Sequence, residues 1–240
     1  GGLLPVVYFF RKNDSLLHFV KPVFDRRVFL KTCTNGSSEL MTNLSMSLVN
    51  ALYNLQLMKI AGENGVAAYG AVMYVNFIFV ATFLGYAIGC APVISYHYGA
   101  GNHAELKNLY KKSMSIILVW GVILFGAAQL LAPVLSKIFV GYNTGLYAMT
   151  LHGFRVYAIA FLIIGINIFG SSFFTALNNG LISAVISFLR TLMFQVIMVL
   201  TLPLWFGING IWSAISVAEA LTLIMTTTFF VRQKDKYHYL

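Results

Sequence analysis

The sequence predicts an all-α, polytopic transmembrane helical bundle, and three observations predict it. Apolar residues make up 59% of the chain and charged residues 10%, against about 45–50% and about 25% in soluble domains. Long apolar runs recur at the length that crosses a hydrocarbon core, about 20 residues. Basic residues gather in the connections at one end of those runs. A membrane β-barrel would instead alternate polarity over segments of about ten residues, a pattern this sequence lacks.

The elements follow in order. Gly1–Phe10 reads as the end of a truncated preceding span, and the chain as a piece of a longer protein. Residues 11–37 read as a basic connector, with Arg11, Lys12, Lys21, Arg26, Arg27 and Lys31 against Asp14 and Asp25. Its amphipathic pieces suit the headgroup layer. Residues 38–231 hold six spans, at roughly 38–60, 66–98, 114–140, 150–177, 182–205 and 211–231. Residues 232–240 form a polar tail. The second run is too long for one crossing, so its last turns project into water.

Charge orients the bundle. The connector, residues 99–113 and the tail share one side and hold most of the lysines and arginines, whereas the opposite turns hold Lys59 and Lys137. The positive-inside rule therefore assigns the connector and the tail to the cytoplasm, in a multi-pass protein of the cell membrane. The net charge of +9 is accounted for by this bias, so nucleic acid is not an expected partner; membrane lipids are.

Enzyme motifs are absent: no CxxC, HExxH, GxxxxGK[ST] or GxSxG. Cys33 and Cys90 lie far apart and suggest neither a disulfide nor a metal site. The residues at issue are ionisable groups at membrane depth, each costing at least about 2.5–3.5 kcal/mol at a helix centre. Arg155 is near enough to a span end to snorkel outward. Arg190 and Glu219 fall on consecutive antiparallel spans at depths differing by about 6 Å at 1.5 Å rise per residue, within reach of a structural ion pair; cation coupling through Glu219 is the functional alternative. Glu39 reads equally as a carboxylate favoured at a helix N-terminus and as a cation site.

The first span carries Asn43, Ser47, Asn50 and Asn54 at helical spacing, one polar stripe that faces protein or water rather than lipid. With Tyr74, Tyr157 and the deep Asn167 they are the candidate lining of a substrate cavity. Aromatic faces there would suit organic cations. Gly85 and Gly89 would let a neighbouring helix approach closely. Gly89 and Pro92 mark a candidate kink, because Pro92 cannot donate to the carbonyl of Ile88.

Five segments together resemble the C-terminal half of multidrug and toxic compound extrusion (MATE) transporters: NGSSELMTNLS at 35–45, AGENGVAAYG at 61–70, GYAIGCAPVISYHYGAGN at 85–102, INIFGSSFFTALNNG at 166–180 and LPLWFGINGIWSAISVAEAL at 202–221. The resemblance implies one six-helix lobe of a twelve-helix fold. It implies an antiporter that exports organic cations and drugs by alternating access in exchange for H⁺ or Na⁺, with no cofactor. It makes Glu39 the acid available to a cation site on the first span, and matches Arg190 and Glu219 to family-typical residues. The Asp that accompanies such a Glu in some subfamilies is missing from the fourth span. The implied partners are small organic cations and the missing N-terminal lobe or a second copy. Two other classes stay open: a lipid or lipid-linked oligosaccharide flippase of the same superfamily, and a non-transporting half-length fragment.

Overall fold

The computed structural model describes residues 3–10 and 24–239; the side chains of residues 4–6, 35, 38, 39 and 41 lie outside the described set. Two compact units are distinguished, Gly1–Cys33 and Thr34–Leu240. The first holds α1 (Leu3–Phe10) and the opening turns of α2 (Arg26–Gly99). The second holds the rest of α2, then α3 (His103–Val140), α4 (Thr144–Tyr157), α5 (Phe161–Ala176), α6 (Gly180–Phe188), α7 (Phe194–Phe206) and α8 (Ile208–Tyr237). Among the described residues there is no strand.

The connector expected over 11–37 is corrected from Arg26 onward, where the backbone is helical. Asp25 caps that start, its Oδ1 accepting from the Arg27 N–H at 2.8 Å and the Val28 N–H at 3.3 Å. Phe24 packs on Phe29, ring centroids 5.5 Å apart, which is the N′–N4 contact of a hydrophobic staple. Residues 11–23 lie outside the described residues.

The α2 run is two antiparallel limbs. Gly62 has φ 63° and ψ −155°, a conformation open essentially only to glycine. Across sixteen residues a straight helix would advance about 24 Å, yet the rings of Tyr53 and Tyr69 stack with centroids 5.0 Å apart. The chain has folded back between them. Gly89 and Pro92, the candidate kink, stay within helical backbone, and the turn expected at 61–65 falls at Gly62. The close helix approach expected at Gly85 and Gly89 is also corrected: a Cβ at either would meet nothing within 4 Å.

Asparagine starts three of the later helices. Side chains of Asn102, Asn143 and Asn179 accept from the N–H groups of Glu105, Leu146 and Ile182, replacing bonds the first helical turn cannot make internally. At the other end α8 runs on to Tyr237, beyond the expected limit at 231. Lys234 and Lys236 lie in its last turn, where cations offset the macrodipole. His238 then turns left-handed, φ 55°, and its N–H bonds Lys234 O at 2.7 Å.

Two spans are interrupted but continuous. A 3-10 turn at Ala158–Ala160 joins α4 to α5, and a π turn at Leu189–Met193 joins α6 to α7. The α4–α5 span is the centre of the bundle: 67% of its apolar window is buried, against 17–33% in the other membrane-length runs. Glycines let it be surrounded. A Cβ at Gly153 would fall 2.5 Å from Trp212, at Gly165 2.4 Å from Phe83, and at Gly170 2.5 Å from Thr226. The surrounding helices expose large apolar side chains outward, including Ile78, Ile88, Leu130, Leu181 and Leu204. Such surfaces suit lipid, and the chain is a multi-pass membrane bundle.

Candidate functional site

A cavity of about 320 Å³ opens between the two limbs of α2 and the later helices. The first limb contributes Thr42, Met46, Val49, Asn50 and Tyr53. The second contributes Tyr69, Met73, Asn76, Phe77 and Val80, a row at helical spacing. Tyr157, Arg190, Thr191, Gln195 and Glu219 close the other side.

One buried network anchors it. Glu219, 2% exposed, sits on α8 and receives Arg190 Nε on Oε1 at 2.9 Å. Its Oε2 receives Asn167 Nδ2 at 2.7 Å, and the same amide reaches the Glu219 carbonyl at 3.0 Å. Thr226 Oγ1 donates to Asn167 Oδ1 at 2.9 Å, which orients the amide with its donors toward the carboxylate. Arg190 occupies the π turn, a local widening that recurs at functional sites. Both carboxylate oxygens are thus engaged, and the charge of Glu219 is balanced by one guanidinium, as a buried charge requires.

A second network lines the aromatic wall. Tyr53 OH donates to Gln195 Oε1 at 3.1 Å, and Tyr69 OH donates to Asn50 Oδ1 at 2.9 Å. The stacked Tyr53–Tyr69 pair joins the two limbs, and buried Tyr157 lies against Phe161.

The expected site residues divide. Arg190, Glu219, Tyr157 and Asn50 line the cavity, and Asn167 lies fully buried behind Glu219. Asn43, Ser47 and Asn54 are exposed and outside the lining of this cavity. At about 100° per residue, 43, 47, 50 and 54 centre about 90° around the helix from 42, 46, 49, 50 and 53. The stripe meets the cavity row only at Asn50. Tyr74 is also outside this lining: it is 66% exposed and stacks on Phe139 with centroids 6.0 Å apart. The Glu39 side chain lies outside the described residues.

Three lining groups went unmarked by the sequence reading. Gln195, a polar residue in the apolar run after Arg190, carried the same signal as Arg190 itself. Asn76 carried it on the second span. Tyr53 gave no signal, because its role depends on the turn at Gly62.

The sequence profile of the MatE family matches residues 40–201. The chain belongs to the MatE family. Solved MATE structures share the fold. A structure of MATE in complex with MaL6 is 19% identical, with TM-score 0.89 over 99% of this chain and 54% of that one. An outward-facing conformation of a multidrug resistance MATE family transporter of the MOP superfamily is 20% identical, with TM-score 0.86 over 98% and 53%. A MOP superfamily transporter from Pyrococcus furiosus is 20% identical, with TM-score 0.86 over 96% and 52%. The chain spans about half the length of these MATE and MOP structures. No curated protein matches it significantly.

Proposed function

We propose that this MatE chain is one lobe of an antiporter that exports small organic cations by alternating access, driven by H⁺ or Na⁺ entry. The observation that carries the proposal is Glu219, a carboxylate at membrane depth in the wall of an otherwise apolar and aromatic cavity. An intramembrane carboxylate is costly enough to mark a pathway or a coupling group. The tyrosine faces and Phe77 suit a planar cation. Arg190 and Asn167 hold the carboxylate until a proton or metal cation competes for it. Glu39 is the second coupling candidate. The other lobe, or a second copy, completes the cavity, and the connector and tail face the cytoplasm of the cell membrane. The flippase alternative calls for several cations around an anionic headgroup, and Arg190 is the one cation among the described lining residues.

The test uses the full protein in proteoliposomes. Ethidium efflux driven by an imposed pH or Na⁺ gradient is expected, with the drive lost in Glu219→Gln. Gradient-driven efflux unchanged in both Glu219→Gln and Glu39→Gln overturns the coupling assignment. Lipid translocation without ethidium efflux supports the flippase.

A further inference from the structure

His103 and His238 bring two imidazoles together at the end of the bundle where α3 begins and α8 stops. Their ring centroids are 4.9 Å apart, with the planes at 69°. Both residues are exposed, and among the described residues neither ring has a hydrogen-bond partner. The backbone beneath each ring is held from within. Asn102 caps α3 on the Glu105 N–H, and Leu106, one turn after His103, is fully buried. His238 lies between buried Tyr237 and Tyr239, and Asn179 Nδ2 donates to the Tyr237 hydroxyl at 2.9 Å. His238 also holds φ 55°, a left-handed backbone where glycine or asparagine is usual. Two separately anchored elements thus present their imidazoles to one another.

We propose that His103 and His238 form a two-histidine site for a divalent transition ion of the zinc, nickel or copper class, and that the ion ties the C-terminal tail to the turn between α2 and α3. Two imidazoles on one tetrahedral zinc, with Zn–N at about 2.0–2.1 Å, stand with their centroids about 5 Å apart. The pair already has that spacing. Rotation about χ2, a broad torsion, turns a nitrogen of each exposed ring toward a shared ion without moving either backbone. Imidazole suits these ions, whereas calcium and magnesium take oxygen ligands. No third His, Cys, Asp or Glu completes the pair among the described residues. Water fills the remaining positions, so the site is open and exchangeable, unlike a closed four-ligand structural site. Its effect falls on the tail. Tyr237 and Tyr239 pack on Tyr98, Tyr110 and Phe173, and a metal bridge adds a tether beside those contacts. Neither histidine lines the cavity, so the tether stands or falls apart from what the cavity carries.

The experiment titrates Zn²⁺ and Cu²⁺ into the untagged full protein in detergent. Wild type should bind one equivalent more than His103→Asn or His238→Asn; asparagine suits both a helix start and a left-handed turn, so both variants should fold. Copper at the site should show two coordinated imidazole nitrogens by electron paramagnetic resonance. With Zn²⁺ at about ten times its Kd, proteolytic release of the tail should slow about tenfold in wild type, by linkage, and in neither variant. Equal stoichiometry in wild type and both variants overturns the site. Loss of binding in one variant alone, or a one-nitrogen copper spectrum in wild type, overturns the pairing. An ion held by both histidines with no change in tail release overturns the tether.

Discussion

Arg190 meets Glu219 through Nε alone, at 2.9 Å, while the second carboxylate oxygen goes to Asn167 at 2.7 Å. The ion pair is therefore side-on rather than a two-bond fork, and the carboxylate is shared by three spans. Arg190 comes from the π turn, Asn167 from α5 and Glu219 from α8. Any change at the carboxylate is felt by all three.

Removing one member of the pair should destabilise more than removing both. Arg190→Met leaves Glu219 as an unpaired buried charge, a loss of about 3–5 kcal/mol. The double variant Arg190→Met/Glu219→Leu should recover most of it. Thermal unfolding of the detergent-solubilised full protein reads the difference; a double variant no more stable than the single one would show that the charges do not depend on each other.

Glycines in the buried span should behave unlike those at the end of α2. Gly165→Ala sets a methyl 2.4 Å from the Phe83 ring, and overpacking of this kind costs about 1–3 kcal/mol. Gly89→Ala meets open space and should be neutral or slightly stabilising, because alanine is the better helix former by about 1 kcal/mol. The same melting measurement separates them.

The turn at Gly62 should resist substitution. With φ 63° and ψ −155°, Gly62→Ala should cost about 1–3 kcal/mol. Paired cysteines replacing Tyr53 and Tyr69 should cross-link through a short bifunctional reagent, since those rings lie 5.0 Å apart. Failure to cross-link in the folded protein would contradict the hairpin.

Tyr239 should act as an anchor. It is fully buried, its ring lies within 5.2 Å of those of Tyr110 and Phe173, and its OH donates to Phe230 O at 2.9 Å. Tyr239→Ala should cost about 3–5 kcal/mol, as for other large aromatics. Tyr239→Phe should cost about 1 kcal/mol, for the hydrogen bond alone. Proteolytic release of residues beyond Phe230 should rise in the alanine variant only.

Much of the fold was legible because apolar run length and turn residues are local signals. The runs ending at 61–65, 99–101, 178–180 and 206–210 all turn there, at Gly62, Gly101, Asn178 and Gly207, each with positive φ. Helix ends were less legible. Helical backbone at 26–37 and 232–237 depends on a cap, a staple and a basic last turn, none of which hydropathy registers.

The site was legible in part. Arg190 and Glu219 announced themselves because charge in an apolar run demands a partner. Asn43, Ser47 and Asn54 fall outside this cavity's lining, because a polar stripe reports only that a helix face avoids lipid. Which of its faces meets the cavity is set by rotation of the helix against its neighbours.

By itself, then, the sequence determined the class and the charges that had to be reconciled among apolar helices. Composition and periodicity act along the chain, and the bilayer penalises every exception. The tertiary structure alone decided that Asn167 holds the second oxygen of Glu219 and that Tyr53 stacks on Tyr69. Those relations depend on the rotation and approach of helices, fixed by contacts such as Gly165 on Phe83 between residues far apart in the chain.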